Sequence, residues 1–320
     1  MAQNFVNVGS LTYSGQEARE IFSKDIYDLD LRSYGIKFID NVKGKRKIYD
    51  GELDDVWQEY SCPFTPSGAA TLAESFIEPA RIKVNMENCY DSWDDTFLVE
   101  QTEIILNGGI PQTFSEWFFD RLRKKMSKEY QEIFWQGDTA HVAETKKYLK
   151  VTDGIEKRLN GAEGTKLISG TKFTVSNIIA QVEAAVMAAI ETAAGQGVDT
   201  ENYKIFMNHS DIKLLAVALG KDCCISNSDV AIFKNYSKEG DKIYAMGFEI
   251  VPTMQSASSI IVGPASNLAL GFNTYDSHLE YKLIDMRETT GDNMFRVLAQ
   301  SNIAVGILFP ELFVYSRVVG

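Results

Sequence analysis

The chain has 320 residues, 45% of them hydrophobic, with 44 acidic against 32 basic side chains and a formal net charge of −12. That length and apolar content support a sizeable core divided over two packed units, and they exclude a disordered chain. The negative balance, with a pI near 4.9, argues against a protein that grips nucleic acid through a broad basic face.

The N-terminus, MAQNFVNVGS, has neither a basic nor an apolar leader region, and no apolar run reaches the roughly 18 residues needed to span a bilayer. A soluble intracellular product is expected. Cys62, Cys89, Cys223 and Cys224 form no CxxC pair and no zinc-like set with His141, His209 and His278, so reduced thiols are expected. Residues 1–35 show no strong period apart from Gln16 to Phe22, where Ser14 is placed to cap a short helix. They read as an extended arm, which buries too little surface alone and must pack on something else.

Residues 36–95 carry strand-like runs at Lys47–Tyr49, Asp55–Tyr60 and Ala80–Met86, separated by Gly44, Gly51 and a Pro63–Gly68 turn region. A basic cluster of Lys43, Lys45, Arg46 and Lys47 lies close to an acidic one of Glu52, Asp54 and Asp55. The pattern reads as a long twisted hairpin that must lie against a partner surface, since two strands alone are marginal in water. An ordinary β-subdomain folded onto the body is the other reading.

Residues 96–112 predict a helix ended by Asn107-Gly108-Gly109-Ile110-Pro111. The strongest element follows, from Thr113 to Gly137. Thr113 and Glu116 form a capping box, and Gly137 stands where a left-handed C-terminal cap is expected. Between them Phe114, Phe118, Leu122, Met126, Tyr130 and Phe134 recur every four residues and place an aromatic stripe on one side. Such a helix is roughly 35 Å long. Its stripe is expected to pack on strands of residues 278–318, with the Lys and Arg residues on the far side.

A short strand and a helical turn are expected around Asp153-Gly154. A second helix is predicted from Phe173 to Ala194, with Thr174 as candidate cap, then a strand at Tyr203–Met207 and a short helix from Asp211 to Leu219 opened by Ser210. Lys242–Val251 and Ser258–Phe272 read as strands, and 165–275 as an α+β unit around a sheet. Residues 278–318 alternate strongly and predict long antiparallel strands with a docked C-terminus.

No GxSxG, Walker loop, GxGxxG, HExxH or calcium loop is present. Neighbouring carboxylates at Asp54–Asp55 and Asp94–Asp95 point to different sides and read as solvated surface, and His209 reads as a capping or packing residue. An arm, a projecting hairpin and no convergent chemistry favour a structural protein whose partners are copies of itself, since heterologous contacts between identical subunits close into rings or shells.

The order of elements resembles the major capsid protein of tailed bacteriophages, the Hong Kong ninety-seven type of shell fold. Residues 1–35, 36–95 and 113–137 resemble the family's N-terminal arm, extended loop and spine helix. Gln136-Gly137-Asp138, Thr152-Asp153-Gly154-Ile155, Tyr203–Ser210, Tyr244–Pro252 and Ile260–Gly263 resemble its later turns and strands. The loop around Tyr60–Gly68, with Lys83–Cys89 after it, is similar to capsid proteins of phages that infect the Bacteroidetes.

The resemblance implies an α+β capsid fold divided into an arm (1–35), an extended loop (36–95), a peripheral domain (96–164 and 278–320, with the spine helix) and an axial domain (165–277). It implies a non-enzymatic protein without cofactor or metal that assembles with copies of itself, as pentamers and hexamers, into an icosahedral shell in the host bacterial cytoplasm. Double-stranded DNA is enclosed without sequence-specific binding, no membrane is involved, and scaffolding and portal proteins are further partners. No scaffolding-like extension precedes the arm, so scaffolding is expected from another protein or to have been removed. Lys43, Lys45, Arg46, Lys47, Glu52, Asp54, Asp55, Trp57 and Phe64 are the implied subunit contacts. Some members weld their shells by a Lys–Asn isopeptide bond, but no partner Asn and Glu can be assigned for Lys43, Lys45 or Lys47, and the bond is not expected. An encapsulin-like compartment shell shares the fold, and an α+β enzyme using His209, Asp211 and Glu249 is the reading from another class.

Overall fold

The computed structural model describes residues 11–14, 30–53, 70–107, 113–221, 236–239, 242–273, 280–287 and 290–318. The expected short helix at 16–22 and the strand at 55–60 lie outside them. In chain order the strands are β1 (Leu11–Ser14), β2 (Lys37–Ile39), β3 (Arg46–Leu53), β4 (Ala70–Ile77), β5 (Ala80–Cys89), β6 (Lys166–Gly170), β7 (Tyr203–Asn208), β8 (Tyr236–Glu239), β9 (Lys242–Ala245), β10 (Phe248–Thr253), β11 (Ile260–Pro264), β12 (Leu268–Gly271), β13 (Glu280–Asp285), β14 (Met294–Ile307) and β15 (Val314–Val318). The helices are α1 (Asp91–Leu106), α2 (Phe114–Gln136), α3 (Ile155–Gly161), α4 (Ile178–Gln196) and α5 (His209–Lys221).

Two sheets and one hairpin hold the strands. The first sheet runs β1-β13-β14-β12-β2, and β5 also pairs with β14. The long β14 makes this possible, because its Met294–Ile303 segment pairs with β5 and its Ala304–Ile307 segment pairs with β12. The second sheet runs β6-β15-β11-β7-β10-β9-β8, with β7/β10 and β6/β15 parallel and the other pairs antiparallel. Between β9 and β10, Met246 and Gly247 both adopt positive φ, as a tight two-residue hairpin turn requires. β3 and β4 pair only with each other, from Arg46 opposite Ile77 to Leu53 opposite Ala70.

Several boundaries differ from the sequence expectation for local reasons. Ala80–Met86 does not extend the hairpin but lies in β5, inside the first sheet. The end of 278–318 does not stay with its neighbours, since β15 crosses to the second sheet. The run 258–272 divides between the sheets, β11 in one and β12 in the other. The expected strand near Leu149 is a 3-10 turn, Lys147–Val151. Thr174 does not cap α4, which starts only at Ile178, with Asn177 at its N-cap. At α5 the capping side chain is Asn208, whose Oδ1 accepts from the Ser210 amide at 2.9 Å, so the helix begins before Ser210.

Strand alternation explains the second sheet's two coats. Phe206, Val251, Ile261 and Tyr315 point to one face and join the core shared with α2, whereas Ile205, Met207, Ile250, Ile260, Val262 and Val314 point to the other and pack under α4 and α5. Helix α4 alone among the described residues is long and apolar enough by composition to cross a membrane, which the sequence expectation did not anticipate. Its Val182, Ala185, Val186 and Ala189 are buried against the sheet, so its apolarity has a packing cause.

Helix α2 joins the two sheets. The expected capping box is present, with the Glu116 amide donating to Thr113 Oγ1 at 3.3 Å and the Thr113 amide donating to Glu116 Oε2 at 3.0 Å. Phe114, Phe118, Leu122, Met126, Tyr130 and Phe134 are all buried. Phe114 and Phe118 meet Phe295 of β14 at 5.4 and 5.0 Å between ring centroids. The Tyr130 hydroxyl bonds Ser301 of the same strand. One turn later, Trp135 sits 5.2 Å from Phe206 in the second sheet. Gly137 ends the helix, but at φ −50 and ψ 137, outside the left-handed region expected of it. It is small for another reason: the Gly154 amide donates to the Gly137 carbonyl at 2.8 Å, and a Cβ at position 137 would lie 2.6 Å from the Ile133 carbonyl oxygen and 2.9 Å from the Gly154 nitrogen.

Candidate subunit interface

The hairpin is held at its root by one side chain. Ile77, the last residue of β4, is fully buried with Val42, Ala269 and Ala304 on the face of the first sheet away from α2. The pocket exists because β12 and β14 carry glycines there: a Cβ at Gly306 would lie 2.7 Å from Ile77 Cδ1, and one at Gly271 would lie 3.1 Å from Ile77 Cγ2. The Val42 amide donates to the Phe272 carbonyl at 3.1 Å and ties the incoming chain to the same corner. Beyond this root, β3 and β4 pair only with each other among the described residues.

The candidate contact residues sit around this root. Lys43, Lys45, Arg46 and Lys47 are exposed. The ammonium groups of Lys45 and Lys47 lie 4.4 and 5.6 Å from the ring centroid of Phe76, which is itself 38% exposed. Glu52 is in β3 opposite Thr71. Asp54, Asp55, Trp57 and Phe64 lie outside the described residues.

The outer surface of α1 is unlike that of α2. Its inner side buries Phe97 and Gln101, with Phe97 packed 5.5 Å from Phe114 and 5.4 Å from Trp117. Its outer side exposes Leu98, Val99, Ile105 and Leu106, the last at 80%. Sequence reading noticed this helix only by its apolar content; the signal for an outer face was the apolar pairs 98–99 and 105–106, seven residues apart, in addition to the inner Phe97. Glu100 bonds Arg121 and Trp117 Nε1 of α2, the latter at 2.6 Å, and fixes α1 on the first turns of the longer helix.

A buried polar joint connects α3 to the loop between β10 and β11. Glu156 accepts from the Ser256 amide at 2.9 Å, from Ser256 Oγ at 2.6 Å and from Ser259 Oγ at 3.0 Å. Burial raises its pKa against these hydrogen bonds, which favour the charged form. In the same loop Gln255 donates to the Phe206 and Ser259 carbonyls at 3.1 and 2.7 Å. Ser258, at φ 61, gives its amide to Asp211 Oδ2 at 2.7 Å. No pattern in the sequence marked these residues, because their partners are up to 103 positions apart.

The three residues of the enzyme reading do not converge. Asp211 is buried, its pKa raised by burial, and it serves the Ser258 amide. His209 is exposed at the start of α5. Glu249 is held between Lys204 and Lys242, at 2.9 Å from each; hydrogen bonds from these lysines outweigh burial and lower its pKa. Since Glu249 is in register with Lys204 and His209 follows Asn208, five residue steps along β7, about 16 Å, separate the position of Glu249 from His209. Among the described residues, no three His, Cys, Asp or Glu side chains cluster as metal ligands.

Solved structures share this arrangement from end to end. A chain of the satellite phage P4 procapsid, a structure including the size determination (Sid) protein, superposes with a TM-score of 0.64 at 11% identity over 99% of this chain and 94% of that one. The chain has the phage capsid fold. A capsid chain of the native GTA particle, computed with C5 symmetry, gives 0.57 at 11% identity over 100% and 95%. The capsid of Myoviridae phage XM1 gives 0.53 at 9% identity over 91% and 92%. No family model and no curated protein matches the sequence. At these identities the likeness lies in the backbone path, and the capsid fold here is built from a different set of side chains.

Proposed function

We propose that the chain is a structural protein that assembles with copies of itself into the icosahedral shell of a tailed phage, enclosing double-stranded DNA. The observation that carries this reading is the whole-length likeness to shell-forming chains, which leaves only small unmatched portions on either side. The hairpin rooted on Ile77 and the exposed outer face of α1 supply contact surface of the kind a shell subunit needs. The negative charge suits a wall that encloses DNA without gripping it.

In this reading residues 1–35 and 36–95 clasp neighbouring subunits, residues 165–277 meet their copies around five-fold and six-fold axes, and α2 braces the peripheral unit of 96–164 and 278–320. Assembly takes place in the host bacterial cytoplasm, with scaffolding and portal proteins as further partners and the virion as destination. The role is non-enzymatic and needs no cofactor. The host group among the Bacteroidetes rests on the loop resemblance alone. Negative-stain electron microscopy of the purified full chain tests the proposal: closed shells are expected, and a protein that stays monomeric at high concentration overturns it.

A further inference from the structure

A cavity of about 360 Å³ lies between the first sheet and α2. Strand β5 forms one wall through Ile82 and Val84, and α2 lines it with Met126, Tyr130 and Ile133. The 3-10 turn Lys147–Val151 supplies Tyr148 and Val151, and Ala299 and Ser301 of β14 lie at the buried end. These walls are fixed by bonds of their own. The Tyr148 hydroxyl donates to Glu132 of α2, Lys146 pairs with the same carboxylate at 3.1 Å, and the Asp138 amide donates to the Leu149 carbonyl at 2.8 Å. The turn is thereby held on α2, so the cavity is formed before any ligand enters.

Its polarity is divided. The buried lining of Met126, Tyr130, Ile133, Ala299 and Ser301 is apolar apart from two hydroxyls, and those bond each other. The exposed lining is Arg81, Lys83 and Lys147, all three cationic. Lys147 pairs with Glu144 at 2.9 Å in an exposed ion pair, whereas Arg81 and Lys83 form no ion pair among the described residues. The one carboxylate of the lining, Glu129, is engaged by Lys125 at 3.2 Å. In a chain of net charge −12 this mouth is locally positive.

We propose that the cavity binds a single-chain anionic amphiphile of the fatty-acid class, with its alkyl chain among Val84, Met126, Ile133 and Val151 and its carboxylate at the mouth beside Arg81, Lys83 and Lys147. A neutral hydrocarbon would leave the cations without a partner, and a small polar anion would leave the apolar interior unfilled. An amphiphile meets both. The site belongs to the single subunit and is independent of the shell reading.

Equilibrium dialysis of the full-length chain against radiolabelled decanoate, below its micelle-forming concentration, measures the binding. One ligand per subunit is expected, with affinity rising about tenfold for each pair of methylenes added from octanoate to dodecanoate. Decyltrimethylammonium, with the same chain and the opposite charge, is expected to bind about tenfold more weakly. Arg81→Glu combined with Lys83→Glu, both at exposed positions, is expected to weaken decanoate binding about tenfold, whereas Lys124→Glu, exposed on α2 and outside the lining, leaves it unchanged. Circular dichroism of each variant checks that the subunit remains folded. Decanoate carrying a photoreactive diazirine at its tail is expected to label residues 82–84 or 126–133. Binding that does not saturate at one per subunit, label elsewhere, or parent affinity in the double variant overturns the proposal. Label that enters dispersed subunits but not assembled shells would mean that a neighbouring copy fills the cavity, and overturns it as well. None of these failures touches the shell reading, which electron microscopy of the same preparation reads separately.

Discussion

The indole of Trp135 packs against the ring of Phe206 with centroids 5.2 Å apart, and this pair carries the last turn of α2 onto the second sheet. The first turns of the same helix lie on Phe295 of the first sheet. A helix of 23 residues is about 35 Å long, enough to touch both. The two units share one core through it and are expected to unfold together. Trp135→Ala removes a fully buried indole and is expected to cost about 3–5 kcal/mol. Urea denaturation followed by circular dichroism reads this; a loss under about 1 kcal/mol would mean that the second sheet does not depend on the helix.

Leu122 lies in the same buried stripe, midway between the ends of α2. Leu122→Asp places an unpaired carboxylate in that core, a cost of several kcal/mol that approaches the whole stability of a domain. The variant is expected to accumulate as insoluble chain. Recovery of soluble protein with native near-ultraviolet circular dichroism would contradict the packing described here.

The Gly137–Gly154 contact closes the end of the helix. In Gly154→Ala the new Cβ would meet the Ile133 carbonyl at 2.8 Å and the Phe134 carbonyl at 2.9 Å, both of them backbone atoms that cannot rotate away. Displacing the start of α3 is expected to lower stability by about 1–3 kcal/mol. Thermal melting gives the answer, and an unchanged midpoint would refute the close approach.

Glu156 makes stability depend on pH. Burial raises its pKa in the folded state above the ordinary value of 4.5, so the folded protein holds this proton where the unfolded chain releases it. The contribution is complete below the unfolded value and is lost as pH rises through the folded one. Glu156→Gln removes the titration, so its stability relative to the parent is expected to increase as pH is raised from 4.5. Denaturant midpoints of both proteins at a series of pH values measure this difference; one that stays flat or falls would rule out the buried titration.

Ile77 anchors the hairpin, and its replacement separates local from global effects. Ile77→Ala empties the pocket under Gly271 and Gly306 and is expected to cost about 2–4 kcal/mol. Because β3 and β4 pair with nothing else among the described residues, much of that cost falls on the hairpin alone. Limited proteolysis is expected to cut between residues 43 and 79 about tenfold faster, while α2 stays protected. Equal rates in parent and variant would show that the hairpin has another anchor.

Local periodicity was enough to determine α2 from the sequence, with its capping box and its buried stripe from Phe114 to Phe134, because each signal lies within four residues along the chain. The strands at Lys47–Tyr49, Ala80–Met86 and Tyr203–Met207 were legible for the same reason. Which strands pair, and in which sheet, was decided by tertiary structure. β11 and β12 read as one run, yet they lie in different sheets; β15 continues an alternation begun in β13 but leaves it. Alternation records that one face of a strand is buried, and carries no information on the element that buries it. The Ile77 pocket, the Glu156 joint and the contact of Trp135 with Phe206 depend on residues between 71 and 229 positions apart, a separation at which only the completed packing selects a partner.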